Sequence, residues 1–146
     1  MPDQQPVPNA PVVPSFWVDS VETLRSFYLE KLAFEHMMGV VGKDGQLDFC
    51  IVFRDDAMVM IGRPQDRIEG SGQQYPTRRP LELYVYLKDI DAYHAEVTKR
   101  GVAVTAPLTT QWWGDRNFAV QDPYGYQLWF GQTVGDVVPP PGTKMI

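Results

Sequence analysis

Apolar and polar positions along this chain fall into two blocks that repeat the same order of periods. Residues 11–18 (PVVPSFWV) read as extended and apolar. Asp19 or Ser20 then stands where a helix N-cap is needed, because Val21, Leu24, Phe27, Tyr28 and Leu32 recur at helical spacing behind it. Strand-like stretches follow near 34–41, 46–53 and 57–62, with turn residues at Gly42–Gly45 and Arg54–Asp56 between them.

The second block has the same grammar. Leu81–Leu87 (LELYVYL) alternates as a strand. Asp89 can cap a helix that carries Ile90, Tyr93 and Val97 on one stripe and stops at Gly101, a residue suited to a left-handed C-cap. Val102–Ala106, Asn117–Gln121 and Tyr126–Phe130 complete the set, the last two joined by the turn Asp122-Pro-Tyr-Gly125. A single offset aligns the blocks: Val18 lies 69 residues before Leu87, and Met60 lies 69 before Trp129. The pattern predicts a duplicated βαβββ unit, with modules at 11–62 and 81–131 of one domain spanning 11–135. Each unit alone leaves one sheet face uncovered. Two units side by side predict an α+β fold whose curled mixed sheet surrounds a central groove, the kind of junction where small ligands bind.

Proline marks the edges. Five of the 13 prolines lie in the first 14 residues, and Pro139–Pro141 stand together near the end. Residues 1–10 and 136–146 therefore read as flexible tails, and the aperiodic stretch 63–80 (RPQDRIEGSGQQYPTRRP) as a linker.

Composition narrows the function classes. With 146 residues the chain suits one compact domain, and 44% hydrophobic with 21% charged residues excludes a largely disordered chain. A net charge of −5 argues against nucleic acid, no apolar run is long enough for a membrane span, and the N-terminal residues lack the pattern of a secretory signal. A cytoplasmic setting is the expectation. Cys50 is the single cysteine and sits in an apolar run, as an inert core thiol would. His36 and His94 have no Ser or Cys partner of the kind a nucleophile–base pair requires. No catalytic constellation emerges.

One segment is more specific. Trp113-Gly-Asp-Arg-Asn-Phe-Ala, a short gap, Asp122-Pro-Tyr-Gly125 and then Tyr126-Gln-Leu-Trp-Phe130 resembles the closing motif of the glyoxalase / bleomycin resistance protein / extradiol dioxygenase superfamily (the vicinal oxygen chelate fold), most closely its bleomycin resistance branch. Residues Ser26–Tyr28 with Lys31–Phe34, Arg54–Ile61 and Leu87–Tyr93 fit the same branch in order and spacing, Ala33 standing where the family usually has glycine. The resemblance implies a homodimer, sometimes with exchanged first strands. In members that are enzymes it also implies a divalent metal held from the first and last strand of each module. Those positions fall on Val13, Met60, Glu82 and Trp129. Valine and tryptophan are no ligands for such an ion, a thioether is too soft for Mg²⁺ or Mn²⁺, and one carboxylate remains. The expectation is no metal and no cofactor.

Strand alternation then assigns faces. Leu83, Val85, Leu87, Phe118, Val120, Leu128 and Phe130 suit the helix-packed side. The expected groove holds Ser15, Trp17, Met60, Glu82, Tyr84, Tyr86, Asn117 and Trp129, with Trp112 and Trp113 on the preceding loop. Trp129 as plain core filling, Glu82 as a solvated edge residue and Arg116 as a structural ion pair stand as the alternatives. Aromatic faces with one carboxylate suit a planar or cationic small molecule. The expected function is metal-free binding and sequestration, as in bleomycin resistance proteins. The alternative is a glyoxalase- or dioxygenase-like lyase or isomerase, working through an unconventional metal site or through Glu82 with Tyr84 or Tyr86.

Overall fold

In the computed structural model, which describes residues 12–63 and 81–143, the duplicated unit is plain. The first module runs β1 (Ser15–Trp17), α1 (Val21–Ser26), a π turn (Phe27–Lys31), β2 (Glu35–Val41), β3 (Leu47–Arg54) and β4 (Ala57–Gly62). The second runs β5 (Glu82–Tyr86), α2 (Ile90–Lys99), β6 (Val104–Thr110), β7 (Asp115–Gln121) and β8 (Gln127–Thr133). The expected linker lies outside the described residues except for Arg63, which binds Asp44 and Asp48.

Each module is a four-stranded mixed sheet, ordered β1-β4-β3-β2 and β5-β8-β7-β6, and the fold is the α+β arrangement the pattern predicted. In both, the first strand pairs in parallel with the last. Ser15 stands opposite Met60 and Tyr84 opposite Trp129, so the 69-residue offset carries over into strand register.

Local chemistry explains the elements. Ser20, extended at φ −126°, is the cap of α1, its hydroxyl accepting the Thr23 N–H at 3.2 Å. Beyond Ser26 the helix widens: Leu32 N–H reaches back five residues to the Phe27 carbonyl at 3.1 Å. The wider turn keeps Tyr28 and Leu32, four apart, on the buried side, while Phe27 is only half-buried. Asp89 caps α2 by accepting the Ala92 N–H. At its other end Gly101 (φ 83°) donates to Thr98, and Val102 donates to Val97, which closes a Schellman motif.

The helix-covered sides of the two modules meet in one core. Phe16, Val52 and Ile61 join Phe118, Leu128 and Phe130 around Leu24, Tyr28, Tyr93 and Val97. Each such buried side chain contributes about 1.5–3 kcal/mol. Polar links cross the same seam: the Tyr93 hydroxyl donates to Leu32 O at 2.9 Å, Tyr124 bridges the Ser20 backbone, and Arg54 lies 4.7 Å from the Tyr93 ring while pairing with Glu96 at 3.1 Å. Among the described residues neither sheet has a helix on its opposite face, and those two faces carry the candidate site.

Four strands differ most from expectation. β1 is only three residues long, because Pro14 precedes it without an N–H to pair; the Pro14 carbonyl still accepts Met60 N–H. β6 starts two residues later and runs on to Thr110, through Pro107, with its register broken between Ala106 and Thr109. β7 begins at Asp115 and β8 continues to Thr133, so Asp115 and Thr133 become a cross-strand pair. That extension shapes the site.

Candidate functional site

The open face of the second sheet is built in rows. Tyr86, Gly131, Asn117 and Thr109 lie side by side across β5, β8, β7 and β6; Tyr84, Trp129, Ala119 and Ala106 form the next row; Glu82 and Gln127 follow. The sequence assignment of Glu82, Tyr84, Tyr86, Asn117 and Trp129 to one face therefore agrees with the structure. Tyr86 is 59% exposed and Tyr84 39%, and their rings stand 5.2 Å apart. The Trp129 indole N–H donates to Glu82 Oε2 at 3.2 Å. Asn117, by contrast, is 0% exposed and acts beneath the surface.

What organises this face is Asp115, which the sequence reading left out. The residue is buried, 4% exposed. Oδ2 accepts both phenolic protons, from Tyr84 and Tyr86 at 2.9 Å each, and Oδ1 accepts the Thr133 hydroxyl at 2.8 Å. Asn117 Nδ2 donates to the Tyr84 oxygen at 3.0 Å, and Gln111 Nε2 donates to Asn117 Oδ1 at 3.0 Å. Burial alone would push the Asp115 carboxyl up, but the donors from Thr133, Tyr84, Tyr86 and Trp113 outweigh it and hold it below the usual carboxylate range. The phenols respond oppositely. Burial, with Asp115 adding to it, raises Tyr84; the bond to Asp115, with burial adding to it, raises Tyr86. Both phenols keep their protons at neutral pH.

Gly131 makes the cluster possible. A Cβ there would sit 2.8 Å from the Tyr84 hydroxyl, so the bare backbone of β8 is what lets the Tyr84 ring lie across the sheet to Asn117 and Asp115. Neither Asp115, Thr133 nor Gly131 was beyond reach of strand parity. Asp115 shares parity with Asn117, and Gly131 and Thr133 share it with Trp129; both strands were simply read too short. Gln111 carries no comparable signal.

Trp112 and Trp113 meet edge-on at 5.5 Å beside this cluster, Trp112 exposed and Trp113 half-buried. The Trp112 carbonyl accepts Val138 N–H at 2.7 Å, which ties the chain after β8 back to the loop.

Ser15, Trp17 and Met60 form a separate group on the open face of the first sheet. Trp17 is 60% exposed, with Met38, Val40 and the half-buried Phe49, Ile51 and Met58 on the same sheet. A largely apolar cleft of about 570 Å³ lies between the first residues of β4 and β5. Met58, Val59, Pro14 and Leu83 line it, and Tyr84 and Tyr86 belong both to this cleft and to the Asp115 cluster.

The other candidates resolve as structural. Arg116 pairs with Asp91 at 3.0 Å. The His94 ring packs on Phe118 at 4.9 Å, and His36 accepts the Arg25 Nε–H at 3.2 Å, burial and Arg25 lowering its pKa. Cys50 is fully buried, which pushes its thiol up to about 11.

A profile of the Glyoxalase/Bleomycin resistance protein/Dioxygenase superfamily matches residues 12–130. The chain belongs to this superfamily. An uncharacterized protein of Mycobacterium bovis, Mb0911c, is 28% identical over 127 residues, 85% of this chain and 84% of that protein. Among solved structures, TioX from Micromonospora sp. ML1 has a TM-score of 0.67 at 18% identity, over 86% of this chain and all of its own. TnmS3, an antibiotic binding protein from Streptomyces sp. CB03234, has a TM-score of 0.57 at 26% identity, over 83% of this chain and 93% of its own.

The metal that superfamily enzymes hold finds no matching donors here. Of Val13, Met60, Glu82 and Trp129, only Glu82 offers a hard oxygen, and Trp129 donates to it. Met60 stands on the other sheet, and among the described residues no three His, Cys, Asp or Glu side chains gather where they could hold an ion. No helix among them is long and apolar enough to cross a membrane.

Proposed function

We propose that this protein binds a planar, drug-like small molecule in the cleft between β4 and β5 and sequesters it without transforming it. The observation that carries this reading is the pair Tyr84 and Tyr86, exposed at an apolar cleft of about 570 Å³ and fixed from behind by a hydrogen-bonded cluster. That volume suits a drug-sized ligand. Rigid aromatic faces bind flat molecules without first having to be ordered, which is where affinity is commonly lost. A 26% identical structural relative described as antibiotic binding supports the same class of ligand, and sequestration of an antibiotic would confer resistance to it.

The uncovered, apolar face of the first sheet favours pairing of two copies, so that Ser15, Trp17 and Met60 of one chain close the site of its partner. Light scattering should then give twice the 16.6 kDa chain mass.

Binding is tested by titrating planar aromatic antibiotics and following tryptophan fluorescence. Quenching that saturates, and that weakens roughly tenfold or more in Tyr86→Ala, a loss of about 1.4 kcal/mol, is the expected result. Silence across a broad panel, or turnover of a methylglyoxal–thiol adduct or a catechol, would overturn it.

A further inference from the structure

The hydroxyl and indole donors of Tyr84, Tyr86, Thr133, Trp113 and Trp129, which β5, β8 and the preceding loop bring to the open face of the second sheet, are already engaged within that face. Tyr84, Tyr86 and Thr133 give their protons to Asp115, Trp113 adds its side chain to the same cluster, and Trp129 gives its N–H to Glu82. An ionised carboxylate can only accept. The chain Gln111 → Asn117 → Tyr84 → Asp115 therefore runs in one direction, and neither tyrosine can turn its proton outward without leaving a buried carboxylate short of a donor. Among the described residues no cationic side chain forms an ion pair with Asp115 that would relieve this demand.

We infer that Asp115 sets the hydrogen-bond polarity of the site: with the Tyr84 oxygen already accepting from Asn117, the Tyr86 oxygen is the phenol acceptor left to a ligand, and it selects a flat aromatic whose rim carries N–H groups or a protonated amine over one whose rim only accepts. The inference rests on the small-molecule reading above and adds to it the chemical class of the ligand. Asp115 is a positioning residue: it is buried, and it acts through Tyr84 and Tyr86. Gln127, whose amide both donates and accepts, discriminates neither class.

Two neutral tricycles of one shape, carbazole with a ring N–H and dibenzofuran with a ring oxygen, separate this polarity from the general pull of a chain of charge −5. Calorimetric titration of the full chain should show carbazole bound about three- to tenfold more tightly, the worth of one net hydrogen bond. Asp115→Asn introduces a donor beneath the phenols and should bring the two affinities close to equal. Tyr86→Phe, altered at an exposed ring, should also narrow the ratio and serves if Asp115→Asn fails to fold. Equal binding of the two probes to the wild-type protein, or a ratio that survives both variants, refutes the polarity assignment and leaves the ligand-binding reading standing. Failure of the wild-type protein to bind either probe or any antibiotic of the panel removes both.

Discussion

Gly131→Ala is a small change with a traceable consequence. The added methyl would sit 2.8 Å from the Tyr84 hydroxyl and 3.1 and 3.2 Å from two ring carbons, so the ring must move. Moving it breaks the 2.9 Å bond to Asp115 and the 3.0 Å bond from Asn117, both partly buried. A hydrogen bond to a charged group is worth about 1.5–3 kcal/mol. Removing a glycine from a strand returns about 0.5–1 kcal/mol through lower entropy of the unfolded chain. The balance is a destabilisation of about 1–2 kcal/mol. Gly62, at the equivalent place in the first module, is the control: a Cβ there would meet the Trp17 ring at 3.4 Å, an ordinary contact, and Gly62→Ala should be tolerated. Urea unfolding followed by tryptophan fluorescence measures each variant. In a Tyr84→Phe background the nearest clash and both hydrogen bonds are gone, so Gly131→Ala should cost about 1 kcal/mol less than it does alone. A Gly131→Ala protein as stable as wild type, or a cost unchanged by Tyr84→Phe, would refute the account of the cluster.

Other positions make shorter tests. Ala33 holds φ 55°, a conformation that favours glycine, and Ala33→Gly should raise stability by about 1 kcal/mol in the same urea assay. The Tyr28 hydroxyl is buried without a hydrogen-bond partner among the described residues, so Tyr28→Phe should be neutral or stabilising by up to about 1 kcal/mol; a clear loss would mean the hydroxyl is satisfied. The Asp115 carboxyl is held below its ordinary value, so its contribution is complete above the usual carboxylate range and disappears as pH falls through the lowered value. The stability gap between wild type and Thr133→Val, which removes one of its donors, should accordingly shrink between about pH 5 and pH 2; a gap constant over that span would count against the coupling.

Much of this arrangement was readable in the chain because the blocks repeat. Ser20 and Asp89 as caps, Gly101 as a C-cap, and the face assignment of Glu82, Tyr84, Tyr86 and Trp129 follow from local rules that tertiary packing did not override. Strand ends were the weak point. Nothing local marks the start of β7, since Trp113-Gly-Asp reads as loop; its pairing with the end of β8 is a nonlocal matter, settled by Asp115 and Thr133 standing opposite each other. Asp115, the site residue with the most partners, therefore falls outside the strand that the pattern predicts. Ser15, Trp17 and Met60 illustrate a different limit. Parity groups Ser15 with Trp17, and the metal position implied by the resemblance adds Met60, but neither can say that this face belongs to a different sheet from that of Tyr84 and Trp129.

The duplication makes the two open faces a natural comparison. Gly62 and Gly131 are 69 residues apart, and each sits opposite an aromatic residue of the parallel neighbour, Trp17 and Tyr86. In both modules a bare position on the last strand lets an aromatic ring of the first strand lie close over the sheet: Trp17 over Gly62, Tyr84 over Gly131. The scaffold thus supplies an aromatic platform twice. Chemistry enters only through what surrounds each platform. Around Trp17 the face stays apolar, with Met60 and Ile51 across the sheet, and such a face gains most by being covered. Around Tyr84 the same geometry is loaded with Asp115, Asn117 and Thr133, groups that would be costly to bury against an apolar surface unless each proton had its acceptor. Because these groups satisfy one another, the second face is ordered in advance, and what distinguishes it from the first is side chains laid on a backbone that both modules share.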